Sequence, residues 1–204
     1  MTRLTIIVAA TLTNGIGQNS RLPWRLSKEM AYFARITSNA PEGSANAVVM
    51  GRNTWESIPK KFRPLPKRVN VVISSNKQYE LSPVFLHSSL DTALARLAHS
   101  EWLETPIHRS FIIGGASLYR DTLSLPPTSE SFVDRILLTR ILSPAFEQCD
   151  VYMPDFQTPG EVAIDSSLWR RSTHAELQEW TGFDVPEGIQ EENGVKYELQ
   201  MWTR

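Results

Sequence analysis

Glu29 is the residue whose type and place first ask for a chemical explanation. Leu26, Met30 and Phe33 recur at i, i+4 and i+7 of a helix predicted over 26–37, so they share one face. Glu29, at i+3, falls on that same stripe, while Lys28 and Arg35 project to other sides. A carboxylate on a buried helix face is costly unless it is paired. The spacing fits two readings equally. One is a first-turn acid that complements the helix dipole and stays partly hydrated. The other is a pocket carboxylate that accepts two N–H donors from an amino-heterocycle.

A second set of chemical residues lies where apolar runs end. The run 48–50 leads into Gly51-Arg52-Asn53-Thr54, 71–73 into Ser74-Ser75-Asn76-Lys77, and 111–113 into Gly114-Gly115-Ala116-Ser117. If the runs are parallel strands, all three turns lie at the carboxyl edge of one sheet, where open α/β sheets bind ligands. Helix N-termini there offer N–H donors to phosphates, and Arg52 and Lys77 add charge. The set favours a ligand with several separated anionic groups, such as a dinucleotide, although each turn alone is ordinary. Neither G-x-G-x-x-G nor a P-loop occurs. Gly15-Ile16-Gly17 is followed by Gln18-Asn19-Ser20-Arg21-Leu22-Pro23-Trp24, a loop and not a helix; it reads as a glycine turn or as a lid over a ligand. The four histidines show no metal-ligand spacing, and no nucleophile motif appears. No metal is expected.

These residues need a scaffold, and the chain supplies one. Its 204 residues carry 41% apolar and 21% charged residues with a net charge of −1, which fits a single folded domain over 1–204. That charge gives no bulk attraction to nucleic acid or to an anionic membrane. One cysteine, Cys149, excludes an intrachain disulfide and suits a reducing compartment. No run reaches the roughly 18 apolar residues of a membrane span. The segment 4–12 is β-branched and enters a turn directly, so it reads as a core strand and not as a signal peptide. A cytoplasmic protein is expected. Without a heptad or an exposed apolar stripe, so is a monomer.

Apolar runs at 4–12, 46–50, 69–74, 84–86, 109–113 and 133–142 alternate with helical segments at 26–37, 53–58, 89–98 and 116–123. The alternation predicts an α/β fold with a mostly parallel, twisted central sheet flanked by helices. Ser89 is placed to cap the third helix. The tail alternates with period two after Asn193-Gly194, a hairpin signal. Segments 172–180 and 195–203 are predicted as antiparallel strands forming an edge hairpin. Segments 38–45, 124–131 and 154–167 read as surface loops.

In order along the chain stand I-V-A-A-T-L-T-N-G-I-G-Q-N-S-R-L-P-W (7–24), K-E-M-A-Y-F (28–33), V-V-M-G-R-N-T-W-E-S-I-P (48–59), R-P-L-P-K-R-V-N-V-V-I-S (63–74), F-I-I-G-G-A-S-L-Y (111–119), L-T-R-I (138–141) and E-E-N-G-V-K-Y (191–197). This ordered set resembles the dihydrofolate reductase family, in a eukaryotic, fungal-like form, over essentially the whole chain. The resemblance implies NADPH-dependent reduction of 7,8-dihydrofolate to tetrahydrofolate, with antifolates as ligands of the same site. It makes Glu29 the pterin-binding acid, supported by Thr139, and places Leu22 and Trp24 with them among the catalytic residues. Ile7, Val8 and Ile113 would line the pterin end, and Met30, Phe33, Ile58 and Leu65 the walls. Arg68 would pair with the substrate's α-carboxylate. Ala9 and Gly15, Ile16, Gly17, Gln18, Asn19, Ser20 and Arg21 would flank the nicotinamide. Arg52, Asn53 and Thr54 would bind phosphate, with Ser74, Ser75, Asn76 and Lys77 at the 2′-phosphate. Gly114, Gly115, Ala116, Ser117, Leu118 and Tyr119 would pass the pyrophosphate, and the Gly114–Gly115 peptide would be cis.

The chain departs from the pattern at Ser75, where many relatives place Arg, at Arg21, where animal forms have an acid, and at Met30, where they have Phe. Two alternatives stand beside this reading. One is a reductase of the riboflavin-biosynthesis type on the same fold, whose substrate needs no Arg68 fork. The other is a folate- or NADP-binding module without turnover.

Overall fold

Val, Ile and Thr are stiff at Cβ and favour extended backbone, and a run apolar on both faces must be covered on both sides. The first run obeys. The computed structural model describes residues 2–76, 78–81, 84–99, 105–158 and 169–204. In it, β1 spans Thr2–Thr11, with Leu4, Ile6 and Ala10 fully buried. There follow β2 (Gly15–Gly17), α1 (Ser27–Ser38), β3 (Ala45–Gly51), α2 (Arg52–Ser57), β4 (Arg68–Ile73), β5 (Phe85–His87), α3 (Leu90–Ala98) and β6 (Ile107–Ile112). The chain continues through α4 (Ala116–Leu123), β7 (Ser131–Ser143), β8 (Val151–Tyr152), β9 (Arg170–Arg171), α5 (His174–Thr181), β10 (Ile189–Glu192) and β11 (Val195–Thr203). Lys77 and most of the predicted loop 154–167 lie outside the described residues.

The main sheet runs in the order β10-β11-β7-β1-β6-β3-β4-β5, with β9 also paired to β11. From β7 to β5 every pair is parallel. Only β11 against β7 and the strands beside it are antiparallel. One apolar cluster joins Leu4, Ile6 and Val8 to Leu94 and Leu97 of α3 and Leu118 and Leu123 of α4. The other joins Ile7, Val48, Phe111 and Leu137 to Ile36 of α1 and Leu177 of α5. Ser89 caps α3, accepting from the Thr92 N–H, as its position predicted.

The tail departs from expectation in one element. Segment 172–180 is not a strand: after the two residues of β9, α5 occupies His174–Thr181. Thr173 caps that helix reciprocally with Glu176, each side chain accepting from the other's backbone N–H, at 3.2 and 2.7 Å. Gly182, at φ 74°, ends it. The T-x-x-E box outweighs the propensity of the segment. The hairpin partner of β11 is therefore β10, and Asn193 and Gly194 make the turn with φ of 53° and 76°.

The loop 12–24 is tied down on one side. β2 pairs with β8, the Asp150 N–H donates to the Gly17 carbonyl at 3.0 Å, and the Met153 N–H to the Asn14 carbonyl at 2.8 Å. Gly15 permits this contact, because a Cβ there would stand 2.6 Å from Cys149 Sγ and 3.0 Å from Thr11 Oγ1. Cys149 is buried and has little room to yield. Gly15→Ala should therefore destabilise the protein by about 1–3 kcal/mol. Chemical denaturation would show this as a lower midpoint; an unchanged midpoint would mean that the loop gives way freely.

Candidate active site

The parallel array puts the turns after β3, β4 and β6 on one edge of the sheet, as the sequence implied. Glu29 stands in the first turn of α1 and is 7% exposed. Its partner comes from the sheet: Thr139 of β7, itself buried, donates its hydroxyl to Glu29 Oε1 at 2.9 Å. Glu29 is thus a first-turn acid, but a buried and hydrogen-bonded one and not a hydrated one.

Burial pushes the Glu29 carboxyl up to about 6; the Thr139 hydrogen bond opposes this and the nearby negative charge of Glu192 adds to it. The folded state thus holds this proton more tightly than the unfolded one, whose value is near 4.5. The group favours folding most below 4.5, and that contribution is lost as pH rises through about 6. Above it, the buried charge costs about 2 kcal/mol of stability. Tyr32, one turn on, is raised by burial and then by the Glu29 charge, and its buried hydroxyl has no partner among the described residues.

The apolar surroundings converge on one cluster. Ile7 and Trp24 are buried in it, and Ala9, Phe33, Ile58, Leu65 and Ile113 pack against it. Val8 does not join them. Its side chain lies in the opposite cluster, because successive strand residues face opposite sides, so only its backbone can serve this site. Met30 is not buried on the predicted stripe but is 48% exposed, and Leu22 is 50% exposed. Trp24 meets Phe146 edge-on at 5.4 Å, and its buried Nε1 has no partner among the described residues. The Tyr119 hydroxyl donates to the Ile7 carbonyl at 3.2 Å.

Arg68 is held on one side. Its Nε donates to the Pro66 carbonyl at 2.9 Å and its Nη1 to Thr37 Oγ1 at 2.7 Å. Thr37 in turn donates to the Phe33 carbonyl, so the last turn of α1 fixes the guanidinium. Partial burial lowers the pKa of Arg68. Asn70 bonds both backbone groups of Leu65 at 2.9 Å and shapes the turn that carries Leu65 and Arg68. Spacing pointed to neither Thr37 nor Asn70, because their roles depend on partners from another element.

At the sheet edge, Gly51 and Gly115 precede α2 and α4 and supply no side-chain cap, which leaves first-turn N–H groups for a ligand. The Gly114–Gly115 peptide is cis, as the resemblance implied. Gly114 has φ 120°, and a Cβ on it would meet Tyr119 Oη at 3.2 Å and Thr54 Oγ1 at 3.3 Å. Its carbonyl accepts from the Gly51 N–H at 2.8 Å, joining two of the turns. In the third turn Ser74 Oγ accepts from the Asn76 N–H, and Asn76 Oδ1 from the Gln78 N–H. Arg52 lies 5.8 Å from the Tyr79 ring, which brings its charge to this turn. Residues 18–21 close their own tight turn, with Asn19 and Ser20 at φ 49° and 59°. Gln18 donates to Gln148 at 3.0 Å, and the Asn19 N–H donates to Asp150 at 2.8 Å. Those bonds point to 148–150 and not to the phosphate turns. Among the described residues no cluster of His, Cys, Asp and Glu could hold a metal, and no helix is long and apolar enough to cross a membrane.

Comparison with known proteins gives a consistent result. The family model described as dihydrofolate reductase matches residues 3–179. The dihydrofolate reductase of Cryptococcus neoformans is 44% identical, covering 98% of this chain and 94% of its own length. That of Pneumocystis carinii is 43% identical, covering 98% and 96%. The structure of Schistosoma mansoni dihydrofolate reductase superposes with a TM-score of 0.77 at 34% identity, covering 99% of this chain and 98% of that one. The chain belongs to the dihydrofolate reductase family.

Proposed function

We propose that the protein reduces 7,8-dihydrofolate to tetrahydrofolate with NADPH, and that Glu29 is the acid that holds the pterin. The observation that carries this is the buried Glu29 carboxyl on the Thr139 hydroxyl, 2.9 Å away. A carboxylate kept out of water and bonded once, at Oε1, still has a lone pair on that oxygen and the whole of Oε2 to offer a ligand. A 2-amino pterin ring supplies two parallel N–H donors, which fit such an acceptor. Arg68, fixed by Pro66 and Thr37, would pair with the substrate's terminal carboxylate.

The turns at the sheet edge fit NADPH. The uncapped N-termini after Gly51 and Gly115 suit the pyrophosphate, and the close approach at Gly114 leaves no room for a side chain there. Arg52 and the 74–76 turn suit a 2′-phosphate. Bound there, NADPH would supply the hydride. The chain's own part is to place the pterin, exclude water from its apolar side and favour a proton on the ring. Glu29, holding the ring at its amino end, is too far from N5 to donate directly, so water delivers that proton. The reaction consumes a proton, and the site holds one more readily below pH 6, so kcat/KM should fall as pH rises through about 6.

Three outcomes test this reading. Glu29→Gln keeps the shape but removes the charge-assisted bonds; NADPH oxidation with dihydrofolate should lose at least ~100-fold in kcat/KM, about 2.7 kcal/mol, together with the pH limb. Wild-type kinetics would remove Glu29 from the site. Arg68→Lys keeps charge but loses the planar fork. The KM for dihydrofolate should rise far more than that for a dihydropterin without a glutamate; equal effects would place Arg68 elsewhere. Arg52→Ala should raise the KM for NADPH much more than that for NADH. A loss shared by both cofactors would assign Arg52 to the pyrophosphate or the fold.

A further inference from the structure

The first turn of α1 is capped from a distant part of the chain. The residue at its N-cap position, Leu26, has no side-chain acceptor. In its place Glu192, the last residue of β10, accepts from the Ser27 N–H at 2.5 Å and from the Lys28 N–H at 3.0 and 3.1 Å. The adjoining Asn193, in the hairpin turn, donates to the Arg25 carbonyl at 2.8 Å. The hairpin therefore grips the chain on both sides of Leu26, immediately before Glu29. The same hairpin supports the other half of the pair: Leu199 of β11 is the register partner of Thr139 on β7. Glu29 and its hydroxyl donor are thus both positioned against one β10–β11 unit.

We propose that Glu192 is a positioning residue for the reaction: through the first turn of α1 it fixes the place of the Glu29 carboxyl and sets its electrostatic surroundings. This rests on the reading of Glu29 as the pterin acid. A carboxylate at a helix N-terminus is favourable in itself, because it meets unpaired N–H groups and the positive end of the dipole. Here it also places a negative charge near a second carboxyl. Glu29 is influenced by Glu192 of β10 and Thr139 of β7; Tyr32 of α1 and Tyr197 of β11 in turn feel its charge. Of these, Glu192 is the group whose charge opposes ionisation of Glu29. The arrangement raises the pH at which Glu29 exchanges between its acid and the carboxylate that accepts the ring's N–H donors, so that a proton is held beside the bound ring closer to neutral pH.

The test is the pH dependence of kcat/KM for dihydrofolate in the wild type, Glu192→Gln and Glu192→Ala, with Glu29→Gln as control. Gln at 192 keeps an acceptor for the helix N–H groups and loses the charge. It should fold, match the wild type on the acid side, and show its alkaline limb at lower pH, with a lower kcat/KM above both midpoints. Ala at 192 should add a rise in the KM for dihydrofolate as the first turn loosens. A Gln variant whose limb superimposes on that of the wild type would overturn the proposal, even if its Tm falls, because only the cap would then matter. Wild-type activity in Glu29→Gln would instead overturn the reading of Glu29, and the two failures are separable.

Discussion

A carboxylate cannot be buried cheaply, and the site is organised around that constraint. Glu29 is removed from water in the first turn of α1 and compensated by one hydroxyl, Thr139, across the sheet. One hydrogen bond offsets only part of the loss of hydration, so the carboxyl holds its proton to about pH 6. The cost falls on the fold, and the result is a buried carboxyl whose protonation state changes near pH 6, a property that suits the proposed pterin acid. The structure is set up to keep that pair in register. β7 lies inside the sheet between β11 and β1, β11 pairs with it at Thr139, and the β10–β11 turn holds the start of α1.

The far end of α1 serves a second requirement. Thr37 and the buried Asn46 join its last turn to Arg68 and to β6: Asn46 donates to the Thr37 and Asn39 carbonyls and accepts from the Arg109 N–H. One helix of 12 residues therefore carries Glu29 near its start and fixes Arg68 at its end. This spacing suits a substrate with an amino-heterocycle at one end and a carboxylate at the other. The proposed cofactor side is built differently, from backbone turns at the edge of the sheet, where N–H groups and Arg52 would meet phosphates.

Much of this was legible because it is local. β-branched runs gave the parallel strands, and Asn193-Gly194 gave the hairpin turn. Glu29 stood out because an acid on an apolar stripe breaks the pattern of a helix. What the sequence hid depends on distance or on competition between local signals. The T-x-x-E box at Thr173 competes with strand propensity and wins, which turned a predicted strand into α5. Val8 was read with Ile7 and Ile113 as lining one site, with backbone carbonyls available there; strand alternation sends its side chain to the other face and leaves only that backbone on this one. Met30 follows the helical stripe yet stands open, since helical spacing fixes a residue's direction on the helix and not what covers it. Glu192 and Thr37 act across 165 and 31 residues, separations that no periodicity records.

The protonation state of the Glu29 carboxyl can be observed without turnover. Carbon-13 NMR of the glutamate side-chain carboxyls in the ligand-free protein, followed from pH 4 to pH 8, would give it, with Glu29→Gln identifying the resonance. The Glu29 carboxyl should titrate near 6, well above its ordinary value of 4.5. A Glu29 signal that titrates near 4.5 would mean that the carboxylate is hydrated and unconstrained, and would contradict the role given to its burial.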